Sequence, residues 1–191
     1  MATSRNRRRG GQAVKVVVTG PFSAGKTTLI RTISEITVLS TERGITDSTR
    51  SRKAETTVAM DFGRITIDRD LVLYLFGTPG QERFDFMWEI LGEGMIGYLL
   101  LVDAEREDSI PEAAGILESF RRMARVPYVV ALNRAAPDDH GLVERVRETL
   151  DIPPDVAIMS CDATDKDSVK NVLLALLYAV LDEVETEAVR A

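Results

Sequence analysis

The stretch Gly20 to Thr28, GPFSAGKTT, constrains this chain more than any other, because it fits G-x-x-x-x-G-K-[ST] where that pattern must sit. Before it lies Ala13 to Thr19 (AVKVVVT), a Val-rich apolar run that predicts a strand buried on both faces. After it, Thr27 to Glu35 carries helical character. Strand, glycine-bounded loop and helix form a cradle of backbone N–H groups at the positive end of a helix dipole, which suits an anion. Gly20 permits the tight turn out of the strand, and Gly25 permits close approach of the backbone to phosphate. Lys26 would reach the β/γ-phosphates and the Thr27 hydroxyl would sit on Mg2+, with Phe22, Ser23, Ala24 and Thr28 completing the loop. The pattern predicts a nucleoside triphosphate site.

At 191 residues, 45% hydrophobic and 28% charged, the chain has the size and balance of one α/β domain with a full core. Its net charge of −6 argues against a nucleic-acid partner, since phosphate backbones need clustered Lys and Arg. Only the start, MATSRNRRRGGQ, is basic, so residues 1–12 are expected to be a disordered arm and 13–191 the folded domain. No apolar segment of signal type follows the arm, and no run reaches membrane-spanning length. Met1-Ala2 lacks the glycine for myristoylation, and the ending EAVRA lacks a prenylatable cysteine. The single Cys161 excludes an internal disulfide and suits a reducing compartment. The expectation is a cytoplasmic protein without stable membrane insertion.

Strand-like and helical runs alternate, as in a mostly parallel sheet covered on both faces. Val58 to Ile67 and Leu71 to Phe76 flank Asp68-Arg69-Asp70 and predict a hairpin, so one strand runs against the rest. Met95 to Val102, Pro127 to Leu132 and Asp155 to Met159 predict three more strands. Helices are expected near Ile110 to Arg125, Leu142 to Leu150 and Ser168 to about Val184, the last with an apolar stripe through Val169, Val172, Leu173, Leu176 and Val180. The polar stretch Ser40 to Thr56 reads as a functional loop or a mobile segment. The prediction is an α/β P-loop fold: a six-stranded mixed, mostly parallel sheet with about five helices on its two faces.

Phe76 to Phe84, FGTPGQERF, resembles the switch II motif D-T-x-G-Q-E-R-F of Ras-like small GTPases, and Thr57 to Phe62 is similar to their switch I segment. The segments together most resemble the bacterial Ras-like branch that contains the MglA and conservon GTPases. That resemblance implies a GTP/GDP-controlled switch with slow hydrolysis. Thr57 would ligate Mg2+ beside Thr27, the Gly80 N–H would hold a γ-phosphate oxygen, and Gln81 would orient the attacking water. It also implies a roadblock-type regulatory protein and further effectors as partners. Phe84, Phe86, Met87 and Trp88 would form their docking surface, unless Phe84 and Trp88 fill the local core instead.

Several positions depart from the resembled pattern. Gly77 stands where the switch II acid would support Mg2+. Asp61 and Asp103 are nearby carboxylates, with Asp61 read as serving the hairpin and neither assigned to the metal. The base motif N-K-x-D reads Asn133-Arg134-Ala135-Ala136, so the acid that accepts from guanine is missing, with Asp138 and Asp139 just beyond. Asn133 and the stem of Arg134 would flank the base, and the backbone near Cys161 and Asp162 would recognise its edge. Phe22 is bulky where glycine is frequent and would crowd the γ-phosphate. These departures leave two alternatives: a pseudo-GTPase scaffold that holds nucleotide without cycling, and an ATP-binding P-loop protein.

Overall fold

The computed structural model describes residues 12–40, 60–80 and 86–190. Most of the basic arm, most of the polar stretch after Ser40, and Thr57, Gln81, Arg83 and Phe84 lie outside the described residues. In chain order the elements are β1 (Gln12–Thr19), α1 (Lys26–Ile33), β2 (Leu39–Ser40), β3 (Asp61–Asp68), β4 (Leu71–Gly77) and α2 (Phe86–Gly92). There follow β5 (Gly97–Asp103), α3 (Ser109–Met123), β6 (Tyr128–Asn133), α4 (His140–Thr149), β7 (Ile158–Cys161) and α5 (Lys166–Arg190).

The strands make one sheet in the order β2-β3-β4-β1-β5-β6-β7. β1 lies at its centre, parallel to β4 on one side and β5 on the other, and β6 and β7 continue the parallel run. β3 pairs antiparallel with β4, as the expected hairpin requires. The six expected strands are therefore present in a mixed, mostly parallel sheet. The two-residue β2 is an addition at the edge, too short to leave a periodic signal.

Period-two alternation divides the core between the two faces. Val16, Val18, Leu99, Leu101, Val129 and Ala131 point to one face, where Leu29, Ile30 and Ile33 of α1 and Val169, Val172 and Leu176 of α5 cover them. Val17, Tyr98, Leu100, Val102, Val130 and Leu132 point to the other, under Trp88, Ile116, Leu117, Phe120, Leu142 and Val146. Coverage on both sides explains why β5 is buried along its whole length and reads as an unbroken apolar run.

Some boundaries differ from the expected ones for local reasons. The last strand starts at Ile158 rather than Asp155, because Pro153 opens a turn closed by the Val156 N–H on its carbonyl at 3.1 Å. α4 starts at His140 rather than Leu142, since Asp139 caps it by accepting from the Leu142 N–H at 2.9 Å. Trp88, 5% exposed and 6.1 Å from the Phe120 ring, belongs to the core, whereas Phe86 is 54% exposed. No helix among the described residues is long and apolar enough to cross a membrane.

Candidate functional site

Five strands run parallel, and their C-terminal ends meet along one edge of the sheet, the edge where open α/β folds bind ligands. The Gly20–Thr28 loop leaves β1 there, Thr78 to Gly80 leave β4, and Asp103, Asn133 and Cys161 end β5, β6 and β7. The described site residues singled out from the sequence thus share one rim. Thr57 and Gln81 lie outside the described residues.

The loop itself has the predicted build. Positive φ values at Gly20 (140°), Ser23 (62°) and Gly25 (104°) fold the chain back between β1 and α1. At Gly25 glycine is required twice over, because a Cβ there would also stand 2.5 Å from Nδ2 of Asn133. Lys26 opens α1 and is only 8% exposed. Its ammonium donates to the carbonyls of Gly20 and Pro21 at 2.7 and 2.6 Å. A cation at a helix N-terminus opposes the helix dipole, so those carbonyls hold it in place. Ala24 is buried, while Phe22, Ser23 and Thr28 are exposed along the loop and the first turn of the helix.

Gly80 presses against this loop: a Cβ on it would lie 2.6 Å from the Phe22 nitrogen and 2.8 Å from Lys26 Nζ. Behind it, Thr78 Oγ1 donates to Thr19 Oγ1 at 2.9 Å and joins the ends of β4 and β1. From outside, Arg106 donates to the Phe22 carbonyl at 2.5 Å and is itself held by Asp108 and Glu112, each at 3.0 Å. Arg106 was absent from the sequence reading, since a lone exposed arginine between a strand and a helix carries no pattern.

Asn133 is a strut between three segments. Its Nδ2 donates to the Ala24 carbonyl at 2.9 Å, and its Oδ1 accepts from the Ala163 N–H at 3.1 Å. The phosphate loop and the β7–α5 turn are thereby tied to the end of β6. Arg134 has a left-handed backbone (φ 64°), and its guanidinium reaches the buried Asp103 carboxylate. Cys161 is buried, and desolvation pushes its thiol up to about 11. The Asp162 N–H is already donated to Ser168 Oγ at 2.9 Å. The Asp162 carboxylate is held below its ordinary range, first of all by the Thr164 hydroxyl.

Asp61 has a larger place than the sequence reading gave it. Its carboxylate receives the Thr27 hydroxyl at 2.5 Å instead of serving only the hairpin. Nothing local announces this contact, which depends on the register that sets Asp61 opposite Gly77.

Two comparisons with known proteins bear on the family. The model for a family described as "Conserved hypothetical ATP binding protein" matches residues 38–183, most of the chain but downstream of the Gly20–Thr28 loop. An uncharacterized protein of Methanocaldococcus jannaschii is 35% identical over 130 residues, which is 66% of this chain and 73% of that protein. Neither finding points to Ras-like small GTPases, and the family match overturns the placement in the MglA and conservon branch. The departures at Gly77 and Ala136 fall on the two acids most diagnostic of the GTPase pattern, which is where the likeness fails. The chain belongs to the family described as conserved hypothetical ATP binding protein.

Proposed function

We propose that this chain binds ATP in the Gly20–Thr28 loop, with Mg2+, and hydrolyses it slowly. The observation that carries the reading is the buried Lys26 ammonium at the N-terminus of α1, enclosed by a glycine-built loop. A fixed cation and a helix dipole converging on one point favour a polyphosphate. Adenine is favoured over guanine by the family description and by the base end of the site. Ala136 offers no acceptor, Asp139 Oδ1 caps α4 and the Asp162 N–H bonds Ser168, so a guanine acceptor would have to be Asp138 or the second oxygen of Asp139.

Slow turnover follows from what stands near the loop. Phe22 is 52% exposed at the position expected to crowd the γ-phosphate, and Arg106 is committed to the Phe22 carbonyl. We assign to Gln81 the orientation of the attacking water. Competition against a fluorescent ATP analogue tests the base: ATP should displace it at least as well as GTP. A GTP preference of about tenfold or more would contradict adenine recognition. In the same preparation, single-turnover hydrolysis should take on the order of minutes to hours rather than ~0.1 s per event. Rapid multiple turnover by the isolated chain would contradict the slow-enzyme reading.

A further inference from the structure

P-loop proteins commonly hold Mg2+ between the loop Ser/Thr and an acid at the end of a neighbouring strand. Two strands flank β1: β5 ends in Asp103, whose carboxylate is already paired with Arg134, and β4 ends in Gly77. Across the antiparallel pair from Gly77 stands Asp61, 8% exposed at the start of β3. A Cβ at position 77 would lie 3.1 Å from Asp61 Cβ, 3.3 Å from Asp61 Oδ2 and 2.9 Å from Ile30 Cδ1. Glycine at 77 is therefore what lets the Asp61 side chain occupy the space at the end of β4.

The two oxygens of that carboxylate differ. Oδ2 accepts the Thr27 hydroxyl proton at 2.5 Å, while the buried Oδ1 has no hydrogen-bond partner among the described residues. A buried, unpartnered carboxylate oxygen is costly unless something cationic or protic completes it. The Thr27 hydroxyl has one proton, and giving it to Asp61 turns the oxygen lone pairs to other directions. The result is a hydroxyl oxygen fixed as an acceptor, next to an acid with one oxygen to spare, at the foot of the phosphate loop.

Resting on the P-loop reading above, we infer that Asp61 is the carboxylate of the divalent-cation site, supplied from β3 in place of the acid absent at Gly77. One carboxylate and one hydroxyl, completed by phosphate oxygens and water, suit the octahedral, oxygen-only preference of Mg2+. Among the described residues no group of three His, Cys, Asp or Glu side chains could hold a metal by itself. On this inference the cation is bound together with the triphosphate, whose oxygens complete its shell.

The test uses the full chain and Mn2+ as a paramagnetic probe, titrated with and without ATP. ATP affinity in EDTA serves as a separate reading of the loop. Asp61→Asn should weaken Mn2+ binding to the ATP-loaded protein about 10- to 100-fold. It should leave ATP affinity in EDTA equal or tighter, because a negative charge near the phosphates is removed. The melting temperature of the nucleotide-free variant should hold or rise, since the amide oxygen can still accept from Thr27 and the buried carboxylate oxygen without a partner is gone. The double variant Asp61→Gly with Gly77→Asp, which returns the acid to β4, removes the Asp61 side chain from its space and leaves only the flexible end of Ile30 to shift, should regain most of the Mn2+ affinity. Mn2+ affinity in Asp61→Asn within twofold of the parent overturns the inference, as does a double variant that folds but stays as weak as Asp61→Gly alone. A parent chain that binds ATP neither with Mg2+ nor in EDTA overturns the P-loop reading instead.

Discussion

Lys26→Ala should weaken ATP binding at least about 100-fold, close to 3 kcal/mol, the size of loss seen when a desolvated charge pair loses one member. The loop around it is built to keep this ammonium inside: two carbonyls hold it, and Gly80 has no side chain to displace it. An alanine cannot replace the charge proposed to meet the β- and γ-phosphates, whatever else the loop contributes. The fold should lose less, because the loss of a donor to the Gly20 and Pro21 carbonyls is partly offset at the helix start. Lys26 begins α1, where a cation opposes the helix dipole and alanine is the better helix former. Calorimetric titration and a thermal melt of the nucleotide-free variant measure both halves. Unchanged affinity would refute the site, and a collapsed melt would make Lys26 a structural residue.

Asn133→Ala should have a different signature, because this residue acts on the protein before any base arrives. Its removal leaves the Ala24 carbonyl and the Ala163 N–H without the partners that they have now. Each buried unsatisfied backbone group costs about 1–3 kcal/mol, so a total near 2–4 kcal/mol is expected. For a domain of this size that lowers the melting temperature by roughly 5–10 °C. Nucleotide affinity should fall as well, since Ala24 belongs to the phosphate loop. A residue that only reads the base would leave the nucleotide-free melt unchanged and alter only the preference among ATP, GTP and other bases. That second pattern would contradict the strut.

Much of this architecture was legible because its physics is local. The Val-rich strand, the glycine-bounded loop and the first turn of α1 are consecutive in the chain, so the build of the Gly20–Thr28 loop could be read residue by residue. The buried strands gave unbroken apolar runs, and α5 showed its stripe from Val169 to Val180. What escaped was settled by pairing across the sheet. Asp61 looks like an ordinary polar residue entering a hairpin until register sets it against Gly77 and beneath Thr27. Asn133 carries the same identity whether it reads a base or ties two loops, and only its partners decide between them.

Family placement failed for a related reason. FGTPGQERF shares most of its letters with a GTPase switch, but a likeness of letters weighs all positions equally. Chemistry does not. The missing acids at Gly77 and Ala136 are the groups that hold a metal and select guanine in that pattern, and they outweigh the matches around them. For Trp88 the sequence left two readings open, surface anchor or local core, and its ring against Phe120 decides for the core.

The most direct measurement of the central claim is the identity of the bound nucleotide. The chain is purified without added nucleotide and loaded with equimolar ATP and GTP in Mg2+. After removal of the free nucleotides, the ligand is released with acid and separated chromatographically. An adenine nucleotide at about one per chain, lost in Lys26→Ala, is the predicted result. A guanine nucleotide at that stoichiometry, or adenine retained undiminished by Lys26→Ala, would contradict ATP recognition at this loop.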